Sequence, residues 1–158
     1  PDILCFAKKA QVGGILASKR IDEVENNVFV ESSRINSTFG GNLVDMVRFK
    51  IILNTIKEEK LLANSKKVGS YLLSNLIELQ KKYPAYVTNS RGLGLFAAFD
   101  LPSITERDEL WETMMQNKLL ILPSGDRSIR FRPHLTTNEK EIDLAMDIID
   151  ISIKKCLR

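Results

Sequence analysis

The chain has 158 residues, 44% of them hydrophobic and 27% charged, the balance of a folded globular protein; at this length folding buries roughly 70% of the chain's surface. Its 23 Lys and Arg against 20 Asp and Glu leave +3, too little and too dispersed to point to nucleic acid. Two cysteines at opposite ends, Cys5 and Cys156, and a single histidine, His134, exclude a Cys/His zinc site, argue against a disulfide scaffold and suit a reducing cytoplasm. No apolar run reaches the length of a membrane-spanning helix.

Ile3–Phe6 forms a short apolar run that reads as a strand already under way. No Met precedes Pro1, and the basic pair Lys8-Lys9 follows the apolar run instead of preceding it, which is not a signal peptide. The chain is therefore expected to be the C-terminal part of a longer protein. Gly13-Gly14-Ile15-Leu16-Ala17-Ser18 reads as a glycine turn into a second strand. Residues 19–41 lack steady periodicity and read as loop. From Asn42, the residues Leu43, Val47 and Ile51 mark a helix to about Lys60. A second helix carries Val68, Leu72, Leu76, Leu79 and Tyr83 on one stripe, and Pro84 stops it.

Tyr86–Asn89 and Leu93–Phe99 then alternate as two strands around Arg91-Gly92. A helix over Glu106–Asn117 comes next, with strands expected at Leu119–Leu122 and Ser128–Phe131. The last helix carries Ile142, Met146, Ile149, Ile153 and Cys156, and Thr136-Thr137-Asn138-Glu139 reads as its capping box. Residues 61–158 thus outline a small α+β domain with helices over one face of a sheet. Residues 1–41 are expected to finish a larger domain, and 42–60 to be the helix joining the two.

Gly92-x-Gly94-x-x-Ala97 fits the dinucleotide fingerprint in letters, but it leads into a strand that runs to Pro102 and not into a helix. A hairpin turn accounts for it better. The sequon Asn36-Ser37-Thr38 is incidental in a chain without a secretory signal. Three segments carry more chemistry. Lys8-Lys9 comes after an apolar strand, where a partly desolvated amine attacks carbonyls; a solvated pair at a strand end is the plainer alternative. Ser37-Thr38-Phe39-Gly40-Gly41-Asn42 offers hydroxyls and amides to an anion at a helix start, or simply caps the helix. In Ser128-Ile129-Arg130-Phe131-Arg132-Pro133, the two arginines share one strand face, either forking a carboxylate or merely wet.

Phe6–Gly14, Ser33–Arg48 and Ser128–Pro133, taken in this order, resemble the pyridoxal-phosphate-dependent class III aminotransferases. The similarity runs over essentially the whole chain and corresponds to the last third of such an enzyme. The likeness is greatest to the members that act on the ε-amino group of L-lysine. The 4-aminobutyrate enzymes share the Lys-Lys and Arg-Phe-Arg-Pro pieces but differ around Asn36-Ser37-Thr38. Ala7 departs from the pattern, since glycine or serine is usual there.

The resemblance implies an α/β fold of the fold type I pyridoxal-phosphate transferases, here the end of the large domain plus the small C-terminal domain. It implies pyridoxal 5'-phosphate as cofactor, Lys8 as the catalytic amine that condenses with its aldehyde, and Thr38 as a hydroxyl reaching the cofactor phosphate of the other subunit of a homodimer. Arg130 would meet the carboxylate of the dicarboxylic co-substrate and pair with a glutamate gate, and Asn36 would contact substrate. The implied reaction transfers the ε-amino group of L-lysine to 2-oxoglutarate. The remaining cofactor and substrate groups lie upstream in the family, so the 158 residues alone are expected to be inactive. A 4-aminobutyrate or ornithine-type aminotransferase, or a small α+β binding module without catalysis, are the alternatives.

Overall fold

The computed structural model describes residues 1–35 and 37–157, with the side chain of Lys9 left aside. The chain divides into two units, Pro1–Glu59 and Lys60–Arg158.

In the first unit, β1 (Ile3–Phe6) and β2 (Gly14–Ala17) form an antiparallel pair with Phe6 opposite Gly14 and Ile3 opposite Ala17. The link between them is a 3-10 turn, Lys8–Ala10, closed by Gln11 in the left-handed region. A Cβ on Gly14 would lie 2.4 Å from the Phe6 ring, so a side chain there would displace that ring. Phe6 in turn stacks on Phe49 with centroids 5.3 Å apart, tying the hairpin to α1 (Leu43–Glu58). The segment expected to be plain loop is more ordered than that. Ser18 caps a 3-10 helix at Lys19–Glu23, and buried Asn27 donates to the carbonyls of Ile21 and Val24 at 3.1 Å each. A single amide side chain thus organises a stretch that has no hydrophobic period to read. Asn42 caps α1 by accepting from Val44 N–H at 3.0 Å.

The second unit begins with α2 (Leu61–Lys82), whose stripe of Leu61, Val68, Leu72, Leu76 and Leu79 is buried. Four strands come after it: β3 (Thr88–Leu93), β4 (Phe96–Asp100), β5 (Leu122–Ser124) and β6 (Ser128–Phe131). They pair antiparallel in the order β3-β4-β6-β5. Helices α3 (Ile104–Gln116) and α4 (Glu139–Cys156) complete the unit. Ala97, Phe99, Ile129 and Phe131 point into one core with Leu72, Leu76, Leu110, Met114, Ile149 and Ile153 from the helices. Period-two alternation therefore puts Ala98, Asp100, Ser128 and Arg130 on the opposite face.

Three expected features shift. The β3–β4 turn lies at Gly94-Leu95, since Leu93 pairs with Phe96; Gly94, with φ +55°, supplies the left-handed residue that a two-residue hairpin needs, and Arg91-Gly92 stay within the strand. The strand expected at Leu119–Leu122 starts at Leu122, because Leu119 instead packs against the core. The capping box of α4 is formed by Asn138 and Glu141, each side chain bonding the other's backbone N–H at 3.1 and 2.9 Å. The Thr136 and Thr137 hydroxyls turn to His134 Nδ1 instead. Gly92-x-Gly94-x-x-Ala97 is a hairpin, and a Cβ on Gly92 would meet the Ala97 Cβ at 2.8 Å.

Candidate active site

Lys8 sits two residues beyond the end of β1 and is exposed. Its φ is +57°, a left-handed conformation that costs a non-glycine residue roughly 1–2 kcal/mol. Ala7 before it is fully extended, and the Lys8 carbonyl accepts from Gln11 N–H at 2.8 Å. The chain thus makes a sharp corner at Lys8, which separates the amine from the strand behind it. The strand pair is antiparallel, so the rule that ligands gather at the carboxyl ends of parallel strands does not itself apply here.

Thr38 is exposed in the turn that leads to α1, where Gly40 N–H bonds the Ser37 carbonyl at 3.0 Å and Gly41 has φ +76°. Because Asn42 makes the helix cap, the Thr38 hydroxyl is left out of that duty. Asn36 lies outside the described residues. Lys8 and Thr38 both belong to the first unit and Arg130 to the second.

Arg130 rises from β6 between Ala98 on one neighbouring strand and Leu122 on the other. Its backbone is held on both sides, and its side chain lines two clefts. One, of about 390 Å³, runs between Leu119–Leu122 and Pro133–His134; the other, of about 420 Å³, lies over Ala98 towards Arg91. Arg130 Nε is buried with no hydrogen-bond partner among the described residues. An orphaned guanidinium nitrogen is the donor that a planar carboxylate satisfies.

Sequence reasoning passed over a polar cluster on the same face. Asp100, 5% exposed, accepts from Ser128 Oγ at 2.6 Å, Arg91 Nη1 at 2.8 Å and Asn89 Nδ2 at 2.8 Å. Burial alone would push its carboxyl up, but the bonds from Ser128, Asn89 and Arg91 outweigh it and hold the group below the usual carboxylate range. An acid closing the apolar run Phe96–Phe99 was the signal available. His134, by contrast, is an exposed side chain on two threonine hydroxyls.

Each unit thus presents its own chemistry: the first an exposed lysine at a strained corner, the second a strand-borne arginine whose Nε lacks a hydrogen-bond partner among the described residues. The model of the aminotransferase class-III family matches residues 1–153, and the chain belongs to that family. Its fold is the C-terminal portion of the fold type I transaminases. It is 48% identical over 146 residues to the L-lysine-epsilon aminotransferase of Mycobacterium bovis, covering 92% of this chain and 32% of that protein. It is 34% identical to human mitochondrial 4-aminobutyrate aminotransferase over 148 residues, 93% of this chain and 28% of the relative. Among solved structures, the lysine aminotransferase from M. tuberculosis in the internal aldimine form superposes with a TM-score of 0.94 at 45% identity, covering 99% of this chain and 36% of the other. The chain spans about a third of the length of the curated relatives it matches.

Proposed function

We propose that the polypeptide carrying this chain is a transaminase that uses pyridoxal 5'-phosphate to move the ε-amino group of L-lysine to 2-oxoglutarate, giving 2-aminoadipate 6-semialdehyde and glutamate. The observation that carries this reading is the 48% identity to an L-lysine-epsilon aminotransferase over nearly the whole chain, against 34% to a 4-aminobutyrate enzyme. Residues 1–41 then close the large domain, 42–60 link, and 61–158 form the small domain. A cytoplasmic location agrees with two free cysteines.

Two residues of the first unit suit the cofactor: a primary amine exposed at a strained corner and a hydroxyl spared from capping. Pyridoxal phosphate, when bound, supplies an aldehyde for amine exchange and a ring that takes up the electron pair left on the substrate carbon. Lys8 would hold it through its Nζ. The same Nζ would then be the base that takes a proton from Cε of the lysine substrate and the acid that returns one to C2 of the 2-oxo acid. The Thr38 hydroxyl donates to the phosphate from the other subunit of a homodimer, and Asn36 contacts substrate. Arg130 forks the carboxylate of the dicarboxylic partner, for which its planar donors are suited.

The test is an amino-donor panel on the full-length polypeptide, read as glutamate formed from 2-oxoglutarate. Lysine is expected to lead, and Lys8→Ala to abolish turnover. A preference for 4-aminobutyrate or ornithine would overturn the lysine assignment. Full activity in the alanine variant would sink the transaminase reading.

A further inference from the structure

The helix-free face of the four-stranded sheet carries two arginines on its strands, Arg91 on β3 and Arg130 on β6, and they lie on either side of Ala98. Two strand spacings put their backbones about 10 Å apart, within reach of one another's side chains. Both line the cleft over Ala98. Their surroundings differ. Arg91 is tied down by three bonds: Nη1 donates to Asp100 Oδ1 and to the Asn89 carbonyl, both at 2.8 Å, and Nη2 donates to Ser128 Oγ at 3.1 Å. Arg130 has no carboxylate partner among the described residues, and its buried Nε has no hydrogen-bond partner there.

We infer that Asp100 is a positioning residue: by tying Arg91 and Ser128 together it neutralises one of the two guanidinium groups lining the cleft and leaves Arg130, among the described residues, as the strand-borne arginine without a carboxylate partner. The inference rests on the proposed role of Arg130 and assigns the neighbouring residues that make it selective. Asp100 lies across from Ser128 in the ladder, and Ser128 is two residues before Arg130 on the same strand and face. The tie therefore acts on the strand that bears the fork. The backbone has been bent to make it: the β3–β4 register shifts between Thr88 and Arg91, and Asn89 takes φ +51°, which brings its amide onto Asp100 Oδ2 at 2.8 Å. Such local strain persists where the surroundings over-determine it. Without the aspartate charge, Arg91 becomes a second cation facing the same cleft. It would repel Arg130 and compete with it for the carboxylate.

The experiment uses the full-length enzyme with lysine as donor and 2-oxoglutarate as acceptor. Asp100→Asn is expected to raise KM for the dicarboxylic acceptor about tenfold while kcat and the KM for lysine change less than threefold, a factor of ten corresponding to about 1.4 kcal/mol. Removing the released cation as well, in Asp100→Asn with Arg91→Gln, is expected to bring acceptor KM back to within threefold of the parent. A merely structural role predicts no such rescue. Ser128→Ala, which keeps the charge pair but cuts the tie to β6, is expected to raise acceptor KM at least threefold and decides the matter if Asp100→Asn does not fold. An unchanged acceptor KM in Asp100→Asn or Ser128→Ala, or a double variant no better than the single, overturns the inference. Arg130→Lys separates the two levels: if it leaves acceptor KM unchanged, the Arg130 assignment itself falls, and this inference with it.

Discussion

Gly69 on α2 gives the sharpest test of how the small domain is held together. A Cβ there would lie 2.2 Å from the carbonyl carbon and oxygen of Gly94 and 2.6 Å from its Cα. Ordinary contact between heavy atoms is about 3.5 Å, so Gly69→Ala forces helix and hairpin apart by roughly 1.3 Å. The obstacle is backbone, at a turn residue with φ +55°, so it cannot rotate aside as a side chain would. Two effects oppose each other. Alanine in a helix interior gains about 1 kcal/mol over glycine, while overpacking costs typically 1–3 kcal/mol. Separation also loosens Val68, Leu72 and Leu76, so the clash wins, by up to about 2 kcal/mol. Hydrogen exchange on the full-length protein localises the effect: amides of 88–97 should exchange about ten times faster in the variant. Exchange unchanged or slower would mean that α2 does not touch the hairpin at Gly94, and the packing account would be wrong.

Asp150 on α4 accepts from Lys82 Nζ at 2.5 Å, Lys154 Nζ at 2.7 Å and Tyr83 Oη at 2.8 Å. Burial pushes its carboxyl up, but bonds from Lys154, Lys82 and Tyr83 prevail and bring it down to about 2. A carboxyl depressed on folding stabilises above its unfolded value of about 3.9 and loses that contribution as pH falls towards 2. With both lysines half exposed, Asp150→Asn should cost about 1 kcal/mol at pH 7 and progressively less as pH falls through about 2, read from exchange rates in α2 and α4. In thermal scans Asn138→Ala, which removes the cap of α4, should cost about 1 kcal/mol, whereas Thr136→Ala should stay within about 0.5 kcal/mol. On the proposed role of Thr38, Thr38→Val should weaken pyridoxal phosphate binding roughly tenfold or more, measured by titrating the full-length apoenzyme, since the proposed bond to a charged group would be lost. The isolated 158 residues should form no borohydride-reducible adduct at Lys8 with the cofactor; transamination by the fragment would contradict this.

Helices with a single apolar stripe were legible, and α2 and α4 obey it because burying Leu72, Leu76, Ile149 and Ile153 depends on nothing but periodicity. The alternation in Ser128–Phe131 likewise gave the face on which Arg130 stands. The features that escaped were set by polar geometry over distance. Asn27 orders a segment without hydrophobic rhythm. The choice of Asn138 over Thr136 as cap turns on His134 capturing both threonine hydroxyls. Gly94 and Arg91-Gly92 are equally plausible turns in letters; the close approach of Gly69 to Gly94 accompanies the turn that is found. The Asp100 cluster draws on β3, β4 and β6, and no local window contains it.

β6 is an interior strand, laced to β4 on one side and β5 on the other, so the Cα of Arg130 is among the least free points in the domain. The proposed enzyme, which would greet a diamine and then a diacid on the same ground, needs something to yield. Here the post stands still, and accommodation falls to the side-chain torsions of the arginine and to whatever faces it.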